Sequence, residues 1–282
     1  MHHPNLGLPT LIAMLAFAGN SLLCRVALRD TTIDPASFTT LRIVAGALML
    51  WLIVRLRSQA LPASGSGNWP SAIALFVYAA AFSQAYVGLS TGTGALLLFG
   101  AVQATMIGVG LWRGERLGGV QSVGLWLAGA GLVGLLLPGL SAPPLAGALL
   151  MLASGAAWGI YSLRGKGAGD PTRVTAGNFI RAVVPATVMT LATLPLARLD
   201  LAGTAYAVAS GALTSGVGYA VWYSALRNLR VTTAATVQLS VPVLAAVGGT
   251  VLLAEPLSMR LVLASATILG GIALVILRKP PR

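Results

Sequence analysis

Six carboxylates are all the acid in this 282-residue chain: Asp30, Asp34, Glu115, Asp170, Asp200 and Glu255. Each lies in or beside a connection between apolar runs, and none falls at the middle of one. Ionisable groups inside a membrane are costly and usually functional. Their absence from the apolar runs argues against a proton relay built on a buried acid, and against a carboxylate that selects cationic drugs. The single Cys24 excludes an intramolecular disulfide or a cysteine metal site and reads as packing. His2 and His3 have no acidic or cysteine partner nearby and read as a solvated end. There is no HExxH, GxSxG, Walker loop or dinucleotide fingerprint. The Gly-rich run from Gly165 to Gly169 follows no strand and reads as a basic linker. No catalytic residue, metal or cofactor is expected, and the chain does not read as an enzyme.

The remaining chemistry is uncharged or basic. Asn20 and Ser21, Gln84, Gln103 and Gln238 lie inside apolar runs. A buried amide needs a partner, which is either a neighbouring helix or a substrate in a wet cavity. Aromatic residues recur at helical spacing. Tyr78, Phe82 and Tyr86 share one face, and so do Tyr219, Trp222 and Tyr223. Trp158 and Tyr161 lie in the sixth run, Phe17 in the first and Phe99 in the fourth; Phe82, Trp158 and Tyr219 read as the deeper rings, whereas Trp51, Trp69, Trp112 and Trp126 sit where interface belts form. A cavity lined by the deeper rings would stack flat or apolar ligands, and ring faces also accept an ammonium group. Arg42 and Arg181 lie several residues inside their runs; they read either as snorkelling side chains or as paired gate or anion contacts. Pro242 and Pro185 interrupt apolar runs. A break of this kind is tolerated in a membrane where a cavity or neighbour satisfies the freed carbonyl.

These residues must be positioned by helices in lipid. The chain is 56% hydrophobic and 9% charged, with a mean hydropathy of +0.85, against roughly 25% charge in soluble domains. Ten apolar runs each approach the length that spans a bilayer: 6–28, 35–54, 70–88, 91–112, 118–138, 145–163, 174–196, 203–226, 232–253 and 258–277. Nothing after the first of them reads as a cleavage site. Spans of about 20 residues without strict alternation make this an all-α integral membrane protein. With the N-terminus inside, twelve Lys and Arg fall on cytoplasmic connections and four on or near the outer ones. Positive charge accumulates in short cytoplasmic loops, so both termini are expected in the cytoplasm. The net charge of +12 is then accounted for without nucleic acid. The expected surroundings are the lipid bilayer and a small-molecule substrate, with the protein a monomer or loose homodimer.

The chain also repeats. Tyr223 and Leu226 match Tyr86 and Leu89 at an offset of 137, Arg181 matches Arg42 at 139, and Glu255 and Leu257 match Glu115 and Leu117 at 140. Five spans per half give two repeats of inverted topology, 1–142 and 143–282, a common plan of secondary transporters. The matched runs Gly124–Gly131 and Leu269–Ala273 suggest close helix contacts. Flexible Gly/Ser/Thr turns such as Ser90–Gly94 are read as gates.

The stretch from Tyr223 to Ser258, with Pro242 and the Glu255-Pro256 turn, resembles the second EamA repeat of the drug/metabolite transporter superfamily, and the resemblance extends over essentially the whole chain. The chain is also similar to the YddG-type branch of bacterial amino-acid exporters. That resemblance implies ten helices around a central cavity in the inner membrane, lined by Asn20, Tyr78, Phe82, Gln103, Trp158, Tyr219 and Gln238. Phe99 and Trp222 join this set from the aromatic pattern, and Arg42, Arg181 and Pro242 are the candidate gating residues. Small four-helix relatives couple efflux to protons through a helix-1 glutamate. Asn20 and the lack of any acid in the first span depart from that pattern. The function expected is export of neutral, especially aromatic, amino acids by alternating access. The alternative is an efflux carrier of the same fold for drugs or other metabolites.

Overall fold

The structure, a computed structural model, describes residues 7–57, 67–114, 116–139, 142–165, 170–226, 229 and 236–277. Its helix starts follow from capping. Asp34 Oδ1 accepts from the backbone N–H of Ala36 and Ser37 and opens α2, Pro35–Arg57, which follows α1, Gly7–Asp30. Asn68 caps α3, Trp69–Tyr86, on the Ser71 N–H, with proline in the first turn where no N–H is missed. The helices α4, Thr91–Trp112, α5, Gly119–Leu136, and α6, Leu145–Arg164, follow. Asp170 caps α7, Pro171–Ala192. Asp200 caps α8, a continuous span over 201–226. A helical turn at 236–238 precedes α9, Ser240–Leu253, which ends on Ala254 in the left-handed region. The last helix is α10, Met259–Leu277.

Ten helical spans and no strand occur among the described residues. Eight are long and apolar enough to cross a membrane. The exceptions are α3, which carries Ser71, Ser83, Gln84 and two tyrosines, and α8, which is divided into Leu201–Ala209, a π-helical segment Ser210–Val217, and Gly218–Leu226. These two spans supply Tyr78, Phe82 and Tyr219 to the centre of the bundle.

Neighbouring spans alternate in direction. At one end Thr32 and Asp34 bond to the Arg198–Asp200 segment, Arg29 donates to the Leu253 carbonyl, Arg260 to the Leu137 carbonyl, and Pro144 packs on Gly88. At the other, Arg164 donates to Ser71 Oγ, Asn178 accepts from the Asn68 N–H, and Gln121 donates to the Val275 carbonyl.

Small residues let the spans approach closely. Gly155 of α6 lies against the Leu98 carbonyl of α4, and Gly124 of α5 against Gly271 of α10. The paired glycine runs thus join these helices within one chain. Outward-facing residues are apolar, among them Leu11, Leu48, Val184 and Val251, with Trp112 and Trp126 more than three-quarters exposed. That surface suits lipid, and the chain is a multi-pass membrane protein.

Two expectations change. Pro242 is not at the middle of a helix: the ladder is interrupted at Leu239, and Pro242 stands in the first turn of α9, where its missing N–H leaves no bond unmade. Ser90–Gly94 is not a loose turn. Thr91 to Gly94 form the first turn of α4, the Thr91 N–H is bound by Glu255, and Gly94 packs directly on the Tyr86 ring. Glu115 and the Gly165–Gly169 run apart from Gly165 lie outside the described residues.

Candidate functional site: a ring-lined chamber around Tyr78

α1, α3, α4, α6 and α8 converge on a small chamber. It is lined by Phe17, Asn20, Ser21, Tyr78, Phe82, Leu98, Phe99, Trp158 and Tyr219. The free space is about 20 Å³, room for a single water. Ligand sites for small molecules run to roughly 300 Å³ or more, so entry of a cargo requires the rings to move apart.

The rings form one continuous chain. Tyr86 meets Phe82 edge-on with centroids 4.7 Å apart, and Phe82 meets Tyr78 at 5.5 Å. Tyr78 meets Trp158 at 4.9 Å, Trp158 meets Tyr219 at 5.1 Å, and Tyr219 meets Phe17 at 5.8 Å. Trp158 also stacks on Tyr161 at 5.2 Å. Offset and edge contacts of this kind add to burial without requiring polar partners.

The polar centre is the Tyr78 phenol. It accepts from Arg42 Nη2 at 2.9 Å and from Asn20 Nδ2 at 3.2 Å. Asn20 Oδ1 in turn accepts from Ser210 Oγ at 2.7 Å, and Arg42 Nε donates to Ser215 Oγ at 3.4 Å. Both serines belong to the π-helical segment of α8. A π segment shifts the helical register, and such segments recur at functional sites. Here the widened segment turns Ser210 towards α1 and Ser215 towards α2. Gly211 lies directly against the Arg42 backbone carbonyl, so no side chain fits between α8 and α2.

Arg42 does not snorkel. It is 2% exposed, with its guanidinium carbon 4.8 Å from the Phe82 centroid and 5.3 Å from that of Tyr78. Its Nη1 has no hydrogen-bond partner, nor does the Ser21 hydroxyl on the chamber wall. Arg181, at the matched position, behaves differently: it is half-buried and donates to the Gly177 carbonyl of its own helix. The two arginines therefore do not form an equivalent pair.

Six of the nine predicted substrate residues line the chamber: Asn20, Tyr78, Phe82, Phe99, Trp158 and Tyr219. Trp222 sits beside it, 5.9 Å from Phe17. Gln103 is buried with its Nε2 unpartnered, one turn along α4 from Phe99 and outside the lining. Gln238 is half-buried and also outside it. Gln84 faces outward. The sequence reading missed Ser154, which ties α6 to the Tyr78 carbonyl at 2.9 Å, and the hydroxyls of the π segment. The closely spaced Ser210-Gly211 and Ser215-Gly216 pairs were their only sign.

A second polar cluster closes one end. Glu255 accepts from Arg25 Nε at 3.0 Å and from the Thr91 N–H at 2.7 Å, while Arg25 Nη1 donates to the carbonyls of Tyr86 and Val87. It joins α1, the α3–α4 turn, and the turn between α9 and α10. Among the described residues no group of His, Cys, Asp and Glu could hold a metal.

Residues 145–277 match the model of the EamA-like transporter family. An uncharacterized protein of Pseudomonas aeruginosa is 62% identical over 268 residues, covering 95% of this chain and 93% of its own length. A crystal structure at 20% identity superposes over 98% of this chain and 99% of the other with a TM-score of 0.69, a likeness of fold alone. The chain therefore belongs to one family with the Pseudomonas aeruginosa protein and carries an EamA-like transporter domain of the drug/metabolite transporter superfamily.

Proposed function

We propose that the chain is a secondary transporter of the inner membrane that exports neutral, especially aromatic, amino acids by alternating access. Two inverted units, 1–142 and 143–282, would rock about the chamber with both termini in the cytoplasm, as a monomer or loose homodimer. The observation that carries this is the unbroken run of rings around a central polar junction with no acid in it. Flat apolar side chains fit such walls, and the amides and hydroxyls suit the polar end of a small solute.

The packing supports the repeat. α3 lies on α6 and α7 as α8 lies on α1 and α2, while α2 faces α7 and α5 faces α10. These are the pairs that a pseudo-two-fold would exchange. The caps correspond too, Asp34 of α2 with Asp170 of α7, and Asn68 of α3 with Asp200 of α8.

Counterflow in proteoliposomes loaded with tryptophan, phenylalanine, threonine or methionine tests the reading. Exchange of at least the aromatic pair is expected, and no exchange of any of the four would remove it. The alternative cargo, a drug or other metabolite, is disfavoured for cations because Arg42 places positive charge beside the chamber.

A further inference from the structure

Resting on that transport reading, we infer that the chamber recognises its cargo by a carboxylate, taken at the corner made by Asn20, Ser21 and Tyr78, with the Arg42 guanidinium as counter-charge. The ammonium group of an amino acid has no placed partner of opposite charge there.

Four observations carry this. Arg42 is fully buried and its partners are a phenol, a serine hydroxyl and two ring faces, none of them an acid. A buried charge of this kind is costly until paired, and Nη1 is left without a partner. The Ser21 hydroxyl is equally buried, makes no hydrogen bond of ordinary length although the Tyr86 phenol lies near it, and lines the chamber. Asn20 and Tyr78 stand on the same wall and are already bonded to each other. Lastly, no acid among the described residues lines the chamber.

The distances permit it. Arg42 Nη2 is 2.9 Å from the Tyr78 phenol. A carboxylate bonded to that phenol would lie within two hydrogen-bond lengths of a full positive charge, about 6 Å, and one bonded to Asn20 would be one bond further along the same network. In a site shut off from water that charge acts with little screening. Arg42 is thus a positioning and charge-supplying residue one ring behind the wall, and Asn20 and Ser21 make the direct contacts.

The test compares three compounds that share a phenyl ring: L-phenylalanine, 3-phenylpropionate, which lacks the amine, and phenethylamine, which lacks the carboxylate. Binding to the purified full-length protein is measured by calorimetry, so the result does not depend on flux. 3-Phenylpropionate is expected to bind at least as tightly as phenylalanine, and phenethylamine about tenfold or more weakly, the loss of one charge-assisted bond. Arg42→Gln should abolish the preference for acid over amine, and Arg42→Lys should keep most of it. Should Arg42→Gln fail to run as a monodisperse species, Ser21→Ala replaces it: binding of the acid should fall several-fold while that of the amine stays unchanged. Equal or tighter binding of phenethylamine, an acid preference that survives these substitutions, or no binding of any of the three would overturn the inference. Failure of amino-acid counterflow alone would overturn the transport reading and leave this one standing or falling on the binding data.

Discussion

Arg42 meets Tyr78 in two ways: Nη2 donates to the phenol oxygen at 2.9 Å, and the guanidinium carbon lies 5.3 Å from the centroid of the same ring. Asn20 shares that oxygen. Tyr78→Phe keeps the ring contacts and removes one acceptor from two buried donors. A loss of about 1–3 kcal/mol is expected, read as a lowered melting temperature in detergent. Ring stacking against Trp158 should persist, so the variant is expected to fold.

The Glu255 cluster is a second place where one atom serves several elements. Glu255→Ala strips Arg25 of its carboxylate and leaves the Thr91 N–H at the start of α4 without its acceptor. Removing one partner of a buried pair costs roughly 3–5 kcal/mol. The 14% exposure of the Arg25 side chain places this case at or below the lower end. The double variant Arg25→Ala/Glu255→Ala should lose less than the sum of the single variants, a coupling that a double-mutant cycle of unfolding free energies would show.

Acid stability has a defined sign. Burial tends to raise the Asp34 carboxyl, but hydrogen bonds from Ser37, Arg198 and Ala36 outweigh it and hold the group below its usual range. The Gly203 N–H does the same for the solvent-exposed Asp200. A carboxylate lowered on folding contributes stability that is fully present above its unfolded value and lost as pH falls through its folded value. Unfolding monitored from pH 7 downward should be flat until about pH 4 and weaken below it. Asp34→Asn should reduce stability at neutral pH and shrink that acid limb.

Glycine positions separate packing from composition. A Cβ at Gly124 would fall 2.6 Å from the Gly271 carbonyl oxygen, whereas one at Gly129 or Gly134 of the same helix would meet nothing within 4 Å. Gly124→Leu should force α5 from α10 and sharply lower the yield of folded protein, and Gly129→Ala and Gly134→Ala should be tolerated. Size-exclusion profiles of the three variants check this.

Much of this was legible in the residues. Spans were legible because apolar length is a strong signal: α4 begins and ends where the pattern puts it, and α2 starts at Pro35 as read. The start of α7 was placed three residues late because Asp170 and Pro171, a cap and a first-turn proline, read as loop residues by polarity alone. The rings of the chamber were legible from helical spacing, since Tyr78 and Phe82 fall on one face whatever the tertiary structure. That Gln103 and Gln238 lie outside the chamber lining was not legible, because an amide in an apolar run signals burial or a partner without saying on which side of the helix it lies. Arg42 reads from sequence as either a snorkelling side chain or a gate or anion contact, because distance along the chain from a helix end resembles closeness to water. Its depth follows instead from packing against Ser215, Tyr78 and Phe82, two of them more than thirty positions away and one far beyond that.

The wide turn of α8 has one more consequence. An α-helix advances by about 100° per residue and a π-helical turn by less, so letting 210–217 rewind to ordinary pitch with all its residues kept would swing everything after it by about the turn of one residue. Tyr219 and Trp222 would then point away from Phe17, towards lipid or a neighbouring span. The aromatic half of the wall contributed by α8 is therefore set by the pitch of the segment just upstream, and a chain could keep every ring-bearing residue and still have no chamber.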